Sequence, residues 1–504
     1  MKNRLLKGTI ILTAAGLITR LIGFGYRIFL SGTLGETNLG IYQMIFPIYS
    51  LAFTIYAAGI QTAVSQIISH EPKKEHAGII KGGLFLSFFL ALLLSLLLFW
   101  NVDVVSTRFL GVYDTAPLLR ILCFLFPFCG VSAVINGYFY GINAARMPAI
   151  AQIIEQLFRV GFVIAISFFV LSGHASAALA VCGLVAGEVA AHIFNVIQLL
   201  KQLSFAEILK SRMKLKNIFF VSLPLSSNKL IIALLGSIES VLIPVMLVKY
   251  GMDENSALAV FGILTGVVLP FVMFPGTLTN SLSVLLLPAI SHASGKDQLY
   301  RVRHTSQITC QYSLLLGVVT SCLFLVYGMD IGGKLFHSDN AGKLLMAAAF
   351  FCPFLYVSTT LGSIINGLGK TGTTFLNTII GLGVRILFLI FVTPRQGIYG
   401  YLLGMLLSQI TICILDAAYL IRHIRMTFSL MKYLVWPYIY CLGVLFLCKA
   451  SGLRLSQITG IPSFSYVFFL PASVFILLYM IRFRLIRWRD FFPSGKRLRG
   501  KHIQ

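Results

Sequence analysis

"GLITRLIGFGYRIFL", residues 16–30, is apolar enough to lie in a lipid bilayer, yet it carries Arg20 and Arg27. A charged side chain at the bilayer centre costs about 2.5–3.5 kcal/mol on insertion scales. Two on one helix therefore need water or a partner, or must snorkel to opposite interfaces. They are seven residues apart, which places them on one helical face two turns from each other. Arg20 falls mid-helix, where snorkelling is hard. Whether this stretch spans a membrane is decided by the rest of the chain.

The 504 residues are 58% hydrophobic and only 11% charged, with a mean hydropathy of +0.89. A soluble protein carries roughly 25% charged residues. Apolar runs of about 20 residues, the length that crosses a bilayer, recur from end to end. The expected fold is an all-α polytopic membrane protein, because segments of alternating polarity that would make a β-barrel are lacking. The net charge of +24 does not point to a nucleic-acid partner, since the basic residues lie mostly in short loops between apolar runs. All nine cysteines fall within or beside those runs without CxxC or Cys/His ligand spacing, which reads as free, buried thiols. The start, "MKNRLLKGTIILTAAG", resembles a signal peptide, but its apolar region continues past residue 16, so a retained first helix is expected. With no Walker A loop, nucleophile constellation or metal motif, neither an enzyme nor a bound cofactor or metal is expected.

Helices are predicted over 8–30, 40–68, 79–100, 118–142, 149–171, 176–200 and 217–248, then 256–291, 308–327, 342–367, 373–393, 397–420, 431–448 and 463–481. Of the 40 Lys and Arg, 27 fall in the N-tail, the even-numbered loops and the C-tail or at the helix ends beside them, against 7 in or beside the odd-numbered loops. Basic residues concentrate on the cytoplasmic side. Both termini are therefore expected in the cytoplasm, as an even number of spans also requires. The remaining bases, Arg20, Arg27, Arg120, Arg159, Lys229 and Arg385, lie inside helices or at their mouths, as do Glu155, Glu188, Glu239 and Asp416.

"SAVINGYFYG" at 132–141 answers "GSIINGLG" at 362–369, with the Asn-Gly pairs 230 residues apart. "IISH" at 67–70 answers "AISH" at 289–292, 222 apart. Two matches at nearly one offset indicate a duplication. Each repeat holds about six helices, an even number, so an axis along the membrane normal should relate the two. The predicted organisation is an N-terminal six-helix lobe over 1–200, a cytoplasmic basic linker over 201–216 and a C-terminal six-helix lobe over 217–421. Two extra helices over 431–481 and a basic cytoplasmic tail over 482–504 complete it. Two lobes around a central cavity are a carrier's plan.

Polar side chains mark candidate cavity walls. Helix 5 presents Gln152, Glu155, Gln156 and Arg159 as one stripe, and helix 6 presents Glu188, His192 and Asn195. These stripes read either as interhelical clamps or as the lining of a wet cavity shared with helix 1. The second half offers Lys229 and Glu239 on helix 7, Arg385 on helix 11, and Gln409 and Asp416 on helix 12. Glu155, Glu188 and Asp416 are the candidate ion-coupling acids. His192 has no second His or Cys nearby, so a proton or hydrogen-bonding role fits better than a metal. Trp100, Trp436 and Trp488 lie near span ends and read as interfacial anchors.

"LITRLIGFGYRI" (17–28), "LGETNLGIYQMIFPIY" (34–49) and "FGILTGVVLPFVMFPGTLTNSLSVLLLPAIS" (261–291) resemble the stage V sporulation protein B and polysaccharide biosynthesis protein family. That family belongs to the multidrug/oligosaccharidyl-lipid/polysaccharide (MOP) flippase superfamily and is related to the MurJ-type lipid II flippases. The resemblance covers essentially the whole chain, although Gln61 and Gln66 stand where relatives often carry proline and lysine. It implies a MATE/MurJ-like fold in the bacterial cytoplasmic membrane, moving a polyprenyl-diphosphate-linked cell-wall or polysaccharide precursor to the outer leaflet by alternating access. By the same resemblance, Arg20 and Arg27 match two basic positions of helix 1 and would bind the diphosphate, helices 13 and 14 would form a groove for the lipid tail, and the partners would be lipid II or a lipid-linked oligosaccharide, membrane lipids and cell-wall synthesis enzymes. Arginine suits that task because its fork meets phosphate oxygens bidentately. A MATE-type multidrug or cation antiporter and a non-transporting scaffold for wall synthesis stay open as alternatives.

Overall fold

The computed structural model describes residues 2–170, 175–277, 296–427, 429–459 and 469–482, and among them every regular element is helical. The first seven helices are α1 (Lys2–Leu34), α2 (Glu36–His70), α3 (Lys73–Trp100), α4 (Tyr113–Cys123 with Leu125–Gly141), α5 (Arg146–Phe169), α6 (Ala177–Leu200) and α7 (Leu215–Tyr250). The next seven are α8 (Glu254–Thr277), α9 (Lys296–Leu335), α10 (Asp339–Gly367), α11 (Thr371–Phe391), α12 (Ile398–Ile424), α13 (Met431–Ile458) and α14 (Phe469–Arg482). Eleven helices are long and apolar enough to cross a membrane, or twelve if the bent pair in α4 counts as one span. The protein is thus a multi-pass membrane protein. Helices α1 and α14 lie where the first and last spans are predicted, and α14 is a shorter apolar helix. The second "AISH", Trp488 and the tail beyond Arg482 lie outside the described residues.

Proline explains two of the bends. It lacks an N–H and its ring crowds the carbonyl four residues back. In α4 the axis turns by 47° between Cys123 and Leu125, four to two residues ahead of Pro127. In α10 a tighter 3-10 turn, Ala349–Phe351, begins four residues ahead of Pro353. Two other breaks are π turns inside spans, Thr54–Ala58 in α2 and Leu264–Val268 in α8. Helix termini use local chemistry. The segment 201–216 contains a short helix, Phe205–Lys210, opened by a capping box between Ser204 and Glu207. Asp253 caps α8 by accepting from the Ser256 N–H at 3.0 Å, and the Ser256 hydroxyl together with this N–H holds its carboxyl below the usual range.

The described chain forms two compact units. The first is Met1–Phe271 with Leu335–Ala341 and Leu382–Gly404; the second is Val272–Lys334, Gly342–Gly381 and Met405–Gln504. In the first, a core of Ile60, Val64, Ile79, Val134, Tyr138, Leu199 and Ile218 joins α2, α3, α4, α6 and α7. Its short segment 335–341 is tied down by polar bonds: Ser338 and Asn340 donate to Glu36 at 2.6 and 3.1 Å, and Ser31 donates to the Phe336 carbonyl at 3.1 Å. In the second unit, Leu315, Val318, Cys322 and Tyr327 of α9 pack with Cys441 and Leu445 of α13 and Ala472 and Ile476 of α14. The outer face of α3, with Phe85, Phe89, Leu93, Leu96 and Leu97 exposed, is apolar as an acyl-chain-facing surface must be. Trp100 and Trp436 are exposed at helix ends. All nine cysteines are free.

Candidate substrate site

Helix α5 packs against both α1 and α6, and this brings the first polar stripe into play. Gly187 of α6 makes the approach feasible, since a Cβ there would stand 3.0 Å from Arg159 Cβ. Arg159 and Glu155 form an ion pair along α5 itself. The pair therefore neutralises one helix rather than clamping two together. Arg159 stands close enough for its charge to act on Tyr26, Arg27, Tyr42 and Tyr49. Glu188 of α6 stands close enough to Glu155 and Arg159 of α5, and to Ser132 and Cys129 of α4, for each of them to act on its carboxyl. Beside it, His192 Nδ1 lies 3.4 Å from Ser132 Oγ, and its ring meets Phe128 edge-on at 5.2 Å. Gln156 is partly buried against α1, with its Nε2 3.3 Å from where a Cβ on Gly23 would sit, whereas Gln152 is exposed.

The two arginines of α1 differ. Arg20 is exposed. Arg27 is partly buried, and its Nη1 donates to the Gly266 carbonyl at 2.6 Å, inside the π turn of α8. Among the described residues no carboxylate lies within ion-pair distance of either one. The first six helices keep unspent hydrogen-bonding capacity. Arg159 Nε, the hydroxyls of Tyr26 and Tyr56, Asn136 Oδ1 and both amide atoms of Asn195 are buried without a partner. Each such group costs about 1–3 kcal/mol if it stays unmet. Groups of this kind call for water or a polar ligand rather than for dry packing.

The second-half residues do not join one stripe. In the first compact unit, Arg385 Nε stands 2.6 Å from Glu239 Oε1, off the line of a hydrogen bond, while Tyr401 donates to that oxygen at 2.6 Å. Lys229 donates to the Ala58 carbonyl at 3.0 Å and to Thr62 Oγ1 at 3.1 Å. In the second unit, Asp416 is 1% exposed and accepts from Asn377 at 2.7 Å, and Gln409 accepts from Ser358 at 2.9 Å. Tyr26, Tyr42, Tyr49, Asn377 and Tyr401 are absent from the sequence-based set. Of these, Asn377 could have been found as an amide within an apolar run. The tyrosines could not, because in a membrane span tyrosine also serves as plain apolar bulk.

The family described as polysaccharide biosynthesis protein matches residues 5–294, and the MatE family matches residues 229–391. Stage V sporulation protein B of Bacillus subtilis (strain 168) is 27% identical over 448 residues, 86% of each chain. Among solved structures, the lipid II flippase MurJ in an inward closed conformation superposes with a TM-score of 0.68 at 16% identity, covering 96% of this chain and 99% of its own. An inward-facing multidrug resistance MATE family transporter of the MOP superfamily gives 0.60 at 17% identity, covering 84% and 100%.

Proposed function

Because this chain belongs to the polysaccharide biosynthesis protein family and has the fold of the MOP superfamily transporters, we propose that it is a flippase. Its cargo would be an anionic polyprenyl-diphosphate-linked cell-wall or polysaccharide precursor, carried from the cytoplasmic to the outer leaflet by alternating access. The observation that carries this reading is Arg27. It sits in an apolar helix with its charge unneutralised by any described carboxylate, and it spends one guanidinium nitrogen on a backbone carbonyl. Four of its five donors remain for a ligand, and a full cation in a low-dielectric span favours an anion. Arg20, on the same face two turns away, would extend the diphosphate site towards the helix start. Gln152, Glu155, Gln156, Arg159, Glu188, His192 and Asn195 would line the polar wall of the path, with Lys229 and Arg385 contributed by the second half.

The lobes over 1–200 and 217–421 belong to the same proposal. Pro127 and Pro353, and Arg159 and Arg385, are each 226 residues apart, which supports a duplication. The MatE match at 229–391 favours a second reading, a cation-coupled multidrug antiporter. Against it, the compared flippase covers 96% of this chain where the compared MATE transporter covers 84%, and an unneutralised Arg27 would repel a cationic drug. Extraction of lipid-linked glycans from a strain lacking the protein tests the choice. Accumulation of a polyprenyl-diphosphate precursor on the cytoplasmic side is expected; an unchanged precursor pool together with drug hypersensitivity would establish the antiporter instead.

Both termini are proposed to lie in the cytoplasm, from the Lys/Arg bias. In a background free of native cysteines, Gly35→Cys should react with an impermeant thiol reagent in intact cells. Ser211→Cys should react only after permeabilisation. Labelling of Ser211→Cys in intact cells overturns this orientation.

A further inference from the structure

The embedded bases divide by how their charge is met. Arg159 and Arg385 each stand against a glutamate, Glu155 and Glu239, so their sites are close to neutral. Arg27 and Lys229 touch only uncharged oxygens. Those two share a second feature. Arg27 of α1 is bonded to Gly266, within the π turn of α8, and Lys229 of α7 is bonded to Ala58, the last residue of the π turn of α2. A π turn inserts a residue into the α-helical ladder, so carbonyls in and beside it lose their regular partner. In a span, where no lipid group can replace that partner, such a carbonyl is a strong local acceptor. Two further π turns differ in place: Val105–Phe109 lies outside the spans, and Met431–Val435 forms the first turn of α13 rather than its interior.

Lys229 lies about 14 residues into α7, roughly 21 Å along a helix rising 1.5 Å per residue, too deep to reach an interface with ease. It is nonetheless exposed. Gly59 lets α7 lie directly on α2 at this level, because any Cβ there would collide with Ser226 of α7. The ammonium is thereby held by two neutral acceptors on α2, and its third donor is left over. An unneutralised, exposed ammonium at that depth is costly against lipid tails and favourable against an anion.

We propose that Lys229 is a second headgroup-binding cation of the transport path, preset by the π turn of α2 as Arg27 is preset by the π turn of α8. This rests on the diphosphate reading above and deepens it. Holding a flexible lysine by one carbonyl and one hydroxyl removes rotamer freedom before the ligand arrives, so less is lost on binding. Lysine acts as a point charge and arginine as a fork, which suits a ligand with two phosphoryl groups to hold. Glu155 and Glu239 keep Arg159 and Arg385 out of this role.

Binding of undecaprenyl pyrophosphate to the purified full-length protein tests the assignment, with uncharged undecaprenol as the reference ligand. Lys229→Gln is expected to weaken pyrophosphate binding about ten-fold, the loss of one charge-assisted hydrogen bond, and to leave undecaprenol binding unchanged. Lys229→Arg should restore most of the affinity. Wild-type pyrophosphate affinity in Lys229→Gln, alongside a loss in Arg27→Gln, overturns this inference and leaves the diphosphate reading standing. Wild-type affinity in both variants overturns the diphosphate reading itself. A parallel loss for undecaprenol would mark Lys229 as structural and also sinks the proposal. Should Lys229→Gln fail to fold, Thr62→Val decides, since it keeps the charge and removes one of its two holders. A weakening of about two- to three-fold then supports the preset cation, and wild-type affinity overturns it.

Discussion

Arg27→Ala is expected to lower headgroup translocation about 100-fold, the loss of a bidentate charge-assisted contact, while the protein inserts and accumulates normally. Removing the guanidinium leaves the Gly266 carbonyl unmet, a cost of about 1–3 kcal/mol. That is a modest penalty against the packing of a chain of this size. Arg20→Ala should act in the same direction, because the exposed Arg20 shares the face and has no described carboxylate to answer. Arg27→Lys should recover only part of the activity. An ammonium can still hold the carbonyl and keep the charge, but it lacks the planar fork. Reconstituted translocation of a fluorescent polyprenyl-diphosphate lipid, normalised to protein inserted, is the measurement. Full activity in both alanine variants would remove the diphosphate-site assignment. A scaffold that recruits wall-synthesis enzymes would show that outcome, since recruitment through basic loops needs neither arginine.

The helices were legible in the sequence because the bilayer imposes one length on every span. The predicted 79–100, 176–200 and 342–367 agree with α3, α6 and α10 to within a few residues at most ends. What composition hides is how a polar group inside a span is satisfied. Glu155–Arg159 was readable because i, i+4 spacing on a helix puts two side chains together. Arg385 with Glu239 was not, because the partners lie 146 residues apart and only tertiary packing joins them. The π turns were invisible for another reason. They carry no residue signature of their own, and "TIYAA" and "LTGVV" read as ordinary apolar helix. Yet those turns supply the acceptors for Arg27 and Lys229. The short helix 205–210 is not among the predicted helices, although Ser204 and Glu207 stand at capping-box spacing ahead of it.

Sorting the cations by partner also bears on the energy source, and transport is expected to depend on membrane potential. With the cytoplasm negative, moving one elementary charge across 100 mV is worth about 2.3 kcal/mol. Outward passage of a dianionic headgroup gains up to roughly twice that if its whole charge crosses the field. Once the anion leaves, Arg159 and Arg385 still hold their glutamates and add nothing to the charge of the empty path. Arg20, Arg27 and Lys229 make it cationic, and the same field favours return of that positive path towards the cytoplasm. Both half-cycles then run downhill, with no call for a nucleotide. The experiment is headgroup translocation in proteoliposomes of known orientation, with the potential set by a potassium gradient and valinomycin. Rates should rise several-fold or more at inside-negative potential. Equal rates at zero and inside-negative potential would exclude this scheme. The driving force would then have to come from a coupled ion, for which Glu188, with Ser132 and Cys129 around it, and Asp416, held by Asn377, are better placed than Glu155, whose charge Arg159 already occupies.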